Sequence, residues 1–166
     1  MGSPGNLEEV LAKLEIREAL ARYARGIDRY DIELAKSAYH PDATDEHGPY
    51  RGNAHEVMDR VERGMAGIEA CQHQILNTLI ELDGERANVE SYFFSLHVPK
   101  GSKVEEHSYG RYIDVFERRD GEWKILDRRV VVDITSCPPR APWKYEDRFS
   151  RGTRDRQDPS YGILRR

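Results

Sequence analysis

Apolar residues recur at helical spacing through Leu7, Val10, Leu11, Leu14, Leu20, Tyr23, Ala24 and Ile27, and Asn6 with Glu9 makes a capping-box start. The pattern predicts a helix over about residues 7–28. A second, short helix fits Asp31 to Tyr39, with Asp31 as its cap and Pro41 as its stop. Gly48-Pro49 and Gly52 bracket a short extended piece. Asn53 with Glu56 repeats the capping signature, and Val57, Met58, Val61 and Met65 carry a third helix to about Gly67. From residue 71 the β-branched and aromatic residues cluster between turn signals at Asp83-Gly84, Pro99-Lys100-Gly101-Ser102 and Asp120-Gly121. Four consecutive antiparallel strands are expected there.

Paired residues in an antiparallel hairpin have indices that sum to a constant, so each turn implies a register. Pairing Asp83 with Ala87 puts His73 opposite His97. The next two turns put Ser95 opposite His107 and Ile113 opposite Arg128. Alternation then assigns His73, Phe93, Ser95, His97, His107, Tyr109, Ile113, Leu126, Arg128, Val130 and Val132 to one face. Tyr92, Phe94, Leu96, Val98, Phe116, Trp123, Ile125 and Val131 fall on the other. Both faces are apolar. Three short helices supply one cover, so a second subunit is expected as the other, in a homo-oligomer.

The 166 residues suit one domain. With 34% charged residues and a net charge of -4, the chain has no broad electrostatic footprint for nucleic acid. No uncharged apolar run is long enough to span a bilayer, and the N-terminus lacks the basic-then-apolar pattern of a signal peptide. Neither a membrane nor a nucleic-acid partner is expected. The two cysteines, Cys71 and Cys137, share no CxxC spacing, and a reducing cytoplasm is the expected compartment. Residues 1–6 read as a flexible leader, 7–137 as the domain and 138–166 as an extension. That extension mixes Arg and Asp with Trp143, Tyr145, Phe149 and Tyr161, as either an irregular tail or a docked arm.

His73 stands near the start of the first long strand-like run, behind a helix that ends at Asp28. A carboxylate behind an imidazole fixes its tautomer and raises the basicity of the outer nitrogen. Asp28 adjoins Ile27 on the apolar stripe, at the boundary where a side chain can turn inward. Tyr23 lies about a turn and a half earlier on the same helix and could reach the same cavity, or remain a core tyrosine. His97 and His107 are either polar groups of the pocket or satisfied core histidines. Arg128 and Arg129 are adjacent on a strand, so one faces in, and the register selects Arg128. A buried guanidinium needs an anionic partner or developing negative charge. His40, His47 and His55 lack metal-ligand spacing, and no metal site is expected. P-loop, GxGxxG and GxSxG motifs are absent from the sequence.

The chain resembles the SnoaL-like branch of the nuclear transport factor 2-like superfamily over most of residues 7–137. The resemblance rests on Ile16-Arg17-Glu18-Ala19-Leu20 leading to Gly26-Ile27-Asp28-Arg29-Tyr30-Asp31, on Tyr39-His40-Pro41-Asp42-Ala43, on Gly48 to Gly52, on His73, and on the hairpin from Phe116 to Ile125. It implies an α+β cone-shaped barrel, in which a curved, mostly antiparallel sheet and three N-terminal helices enclose a pocket. The site pattern is similar to that of the scytalone dehydratase, hexachlorocyclohexane dehydrochlorinase and bile acid 7α-dehydratase groups, which use an Asp-His dyad without cofactor. The resemblance places that dyad on Asp28 and His73, the pocket arginine on Arg128, and the tyrosine of the bile acid group on Tyr23. His97 falls near the second histidine of the scytalone group.

Together these readings imply a cofactor-independent lyase acting on a hydrophobic cyclic or steroid-like substrate. Asp28, His73, Tyr23 and Arg128 are its expected catalytic residues, and His97, Phe93, Tyr109 and His107 line the expected substrate pocket. A ketosteroid-isomerase-like proton shuttle and a non-catalytic binding or accessory oligomer are the alternatives, because this fold hosts many functions. A homotrimer is favoured by the dehydratases, a homodimer by the superfamily at large.

Overall fold

The computed structural model describes residues 7–145 and 148–164, and the expected leader, residues 1–6, lies outside them. Two helices, α1 (Leu7–Asp28) and α2 (Ile32–Lys36), are followed by two short strands, β1 (Tyr39–His47) and β2 (Tyr50–Asn53), and a third helix, α3 (Ala54–Met65). Four long strands follow: β3 (Ile68–Asp83), β4 (Arg86–Pro99), β5 (Glu106–Arg119) and β6 (Glu122–Ser136). The strand order is β2-β1-β6-β5-β4-β3, antiparallel except where β1 runs parallel to β6. The sheet curls around the helices in an α+β cone. Among the described residues no helix is long and apolar enough to cross a membrane.

The local signals act as expected at several points. Asn53 caps α3, its side-chain oxygen accepting from the backbone N–H groups of His55 and Glu56. Asp120 and Gly121 both take positive φ, 52° and 83°, in a two-residue turn closed by the pairing of Arg119 with Glu122. That is the backbone a tight hairpin requires. The second helix is shorter than expected. It ends at Lys36, and Tyr39 opens β1, which continues through Pro41 beside β6. Pro41 is tolerated because the β1–β6 ladder is interrupted between Tyr39 and Thr44. Asp31 makes no side-chain cap bond and accepts instead from the Tyr161 hydroxyl at 2.9 Å.

The core gathers Ile16, Leu20, Tyr23 and Ile27 of α1 against Phe93, Tyr112, Phe116 and Ile125 of the sheet. Leu7, Val10, Leu11 and Leu14 share the helical pattern but are exposed. The buried stretch of α1 begins only at Ile16.

The register differs from the expected one in the first two hairpins and, in the third, only beyond a bulge. A two-residue turn at Gly84-Glu85 and a bulge between Ile75 and Thr78 put His73 opposite Ser95 and Cys71 opposite His97. Because the shift is two residues, His73 and His97 keep a common face. The β4–β5 register is off by one: Leu96 faces His107 and Phe94 faces Tyr109. A slip of one turns side chains over. His107 and Tyr109 are therefore on the outer face, with rings against Phe94, and not in the pocket. Ile113 is likewise outside, whereas Tyr112 and Asp114 point in. Phe116, Trp123 and Ile125, expected outside, belong to the core. A bulge between Val115 and Phe116 sets Asp114, not Ile113, opposite Arg128.

Candidate active site

The end of α1 is built to hold one side chain still. The Asp31 N–H donates to Gly26 O and the Tyr30 N–H to Ile27 O, while Tyr30 takes the left-handed conformation at φ 55°. This paired closure satisfies carbonyls that a helix end leaves open. Gly26 permits it: a Cβ there would stand 2.4 Å from the backbone nitrogen of Ala35 in α2. Asp28, the last helical residue, consequently points at β3.

Its carboxylate receives three groups from that strand. His73 donates its backbone N–H to Oδ2 at 2.9 Å, and its ring Nδ1 lies 2.8 Å from Oδ1. The Cys71 thiol donates to Oδ1 at 3.2 Å. Residues 71 and 73 share a face because strand side chains alternate. The His97 ring meets His73 edge-on, centroids 5.2 Å apart. Burial, reinforced by neighbouring His73, pushes His97 down to about 4, so its ring is neutral near pH 7. Burial beside Asp28 pushes the Cys71 thiol well up.

With Nδ1–H directed to Asp28, Nε2 of His73 carries the free lone pair. That is the arrangement a general base needs. A groove of about 580 Å³ reaches both residues between α1 and β3, lined also by Leu20, Ala24, Ile75, Asp158 and Ser160.

Arg128 forms a second, separate centre. Its guanidinium, 1% exposed as a residue, binds Asp114 through two bonds of 2.8 and 2.7 Å and the Tyr39 hydroxyl at 3.2 Å. Burial opposes its charge, but Asp114 and the Tyr39 oxygen outweigh that and hold its pKa well above the ordinary value. The anionic partner that a buried guanidinium needs is therefore Asp114. Arg129 is exposed and pairs with Glu46 at 3.3 Å. Tyr23 lies under Arg128, ring centroid 4.4 Å from the guanidinium carbon, and burial raises its hydroxyl to about 12 despite Arg128. Phe93 stacks on Tyr112 with centroids 4.4 Å apart. Of the expected site residues, Asp28, His73 and His97 meet. Tyr23, Phe93 and Arg128 pack in the neighbouring core, and His107 and Tyr109 lie across the sheet.

Two residues of this region escaped the sequence reading. Cys71 is one, although its place two residues before His73 put it on the same face. Arg154 is the other. Its guanidinium donates to the carbonyls of Ile27, Asp28, Met65 and Ile68 at 2.8 to 3.4 Å, tying the ends of α1 and α3 to the start of β3. Residues 153–161 of the extension are thus docked, with Arg29 bound to Asp158 and Arg25 to Ser160, whereas Trp143, Tyr145 and Phe149 are exposed.

No curated protein matches the chain. Solved structures do, at the level of the fold. A putative scytalone dehydratase from Novosphingobium aromaticivorans is 18% identical, with a TM-score of 0.71 over 82% of this chain and 97% of that one. A hexachlorocyclohexane dehydrochlorinase, LinA-type3 from Novosphingobium barchaimii, is 17% identical, with a TM-score of 0.72 over 84% and 97%. A protein of unknown function from Mycobacterium tuberculosis is 23% identical, with a TM-score of 0.67 over 80% and 78%. Residues 8–129 match the SnoaL-like domain, and the chain belongs to that family within the nuclear transport factor 2-like superfamily.

Proposed function

We propose that the protein is a cofactor-independent lyase in which His73 removes a proton from carbon and a leaving group departs from the neighbouring atom. The observation that carries this reading is the double hold of Asp28 on His73, at 2.8 Å to the ring and 2.9 Å to the backbone. It orients the ring, selects the Nδ1–H tautomer and stabilises the imidazolium that forms on proton transfer. Structural neighbours named as dehydratase and dehydrochlorinase agree with elimination as the reaction class.

Leu20, Ala24 and Ile75 beside the dyad suit a hydrophobic cyclic or steroid-like substrate. We assign the hydrogen bond to the departing group to His97, whose neutral ring meets His73 edge-on. Tyr23 stacks under Arg128, which Asp114 holds, and the group stiffens the wall behind the site. The apolar outer sheet face, with Tyr92, Tyr109, Ile113 and Ile134 exposed, supports assembly into a homotrimer or homodimer. Free thiols at Cys71 and Cys137 agree with the cytoplasm.

The test is product mass from a panel of cyclic β-hydroxy and β-chloro ketones. Loss of water or HCl, abolished by His73→Ala in a folded protein, is the expected result. A product of unchanged mass marks an isomerase, and full turnover by His73→Ala removes His73 from the chemistry.

A further inference from the structure

Cys71, His73 and His97 each offer a ligand atom, and these atoms all lie within 4.8 Å of one another. Asp28 offers a further donor beside two of them, Cys71 and His73. Its Oδ1 is 2.8 Å from His73 Nδ1 and 3.2 Å from Cys71 Sγ, and the sulfur is 4.0 Å from that same nitrogen. In a tetrahedral zinc site, with metal–ligand bonds of 2.0–2.3 Å, neighbouring ligand atoms stand roughly 3.3–3.8 Å apart. These three edges bracket that range, and His97 stands within 4.8 Å of Cys71 and His73.

We infer that Cys71, His73, His97 and Asp28 form a site for a thiophilic divalent cation of the zinc type, and that its occupation switches the dyad off. One thiolate, one carboxylate and two neutral imidazoles balance a dication without leaving net charge in a buried place. A tetrahedral structural zinc uses four protein ligands in this way. The frame is stiff: 71 and 73 are on one strand, 97 is opposite 71 on the next, and Asp28 is held by the closed end of α1. Hydrogen bonding to Asp28 alone does not call for sulfur at position 71. Access exists, since the groove reaches Asp28 and His73.

On binding, a metal–sulfur bond forms and the thiol proton leaves to solvent, while the cation takes the place of the proton between Asp28 and His73 and that proton moves to Nε2, leaving the imidazole neutral and its outer lone pair gone. His73 is then fixed as a ligand. The loss of activity rests on the reading of His73 as the base; the metal site does not.

Cobalt(II) titration of the metal-stripped protein reads the site directly, through thiolate-to-cobalt absorption, with zinc competing. One cobalt per chain, displaced by zinc, is expected, and Cys137→Ser should bind like wild type. Cys71→Ser should lose the thiolate absorption. His97→Gln should weaken binding by at least the roughly 10–100-fold seen when even an outer hydrogen-bond partner is removed. Unaltered affinity in both Cys71→Ser and His97→Gln, or no thiolate absorption in the wild type, overturns the site. If cobalt binds as described and His73→Ala still turns over substrate, the site stands and the proposed function falls.

Discussion

Asp28 holds His73 at two points, ring and backbone, so the imidazole cannot rotate without breaking a bond to the same carboxylate. Asp28→Asn keeps the shape but offers an N–H to Nδ1, which drives the ring proton to Nε2. The expected loss in kcat is about 10²–10⁴-fold, with helix content unchanged by circular dichroism. A variant as fast as wild type would show that the tautomer does not matter.

Asp114 and Arg128 form an ion pair with both side chains fully buried. Asp114→Ala strands the guanidinium and should cost about 3–5 kcal/mol in urea unfolding. Arg111 and Asp133 pair at the surface, 3.0 Å apart, and Asp133→Ala should leave the midpoint near wild type. Equal effects from the two would mean that Arg128 finds another partner.

His97 gives stability a pH dependence of known sign. Its folded pKa, about 4, is below the ordinary 6.5, so between those values the unfolded chain binds a proton that the native one refuses. Its contribution is intact above pH 6.5 and declines as pH falls towards 4, by up to about 3 kcal/mol. Urea midpoints between pH 7.5 and 4.5 should fall more steeply in wild type than in His97→Gln. Parallel slopes would exclude His97 as the source.

Gly26 lets α1 and α2 touch, and Gly26→Ala sets a methyl 2.4 Å from the Ala35 nitrogen. Backbone must move, and overpacking of this kind costs about 1–3 kcal/mol. Because Asp28 follows two residues later, kcat should fall together with the melting temperature. A melting temperature within error of wild type would show that the helices separate freely.

Ile134 is exposed opposite Tyr109 on the outer face of the sheet. If that face joins subunits, Ile134→Asp should reduce the light-scattering mass of the eluting particle to that of one chain. A mass equal to wild type moves the interface elsewhere, with the exposed Leu7, Val10, Leu11 and Leu14 of α1 the next surface to probe.

Local chemistry in the chain determined the elements. The Asn53 cap, the Asp120-Gly121 turn and the period-two strands were legible because each depends on residues a few positions apart. The proximity of Asp28 to His73 was legible only through resemblance to a family, since no local rule joins residues 45 apart. Position Tyr39 was read as helix because its strand exists only by pairing with β6, far along the chain.

Face assignment shows the same boundary. Arg128 inward was right, yet Asp114 as its partner was hidden by one bulge, and His107 and Tyr109 changed sides through a single-residue difference in register. Side-chain direction in a strand has period two, so one unpaired residue inverts everything beyond it. The sequence by itself determined the elements other than β1 and where Asp28 and His73 sit along them. Tertiary structure alone decided that Asp114 neutralises Arg128 and that His107 and Tyr109 face outward, because those placements depend on bulges and packing that no nearby residue encodes.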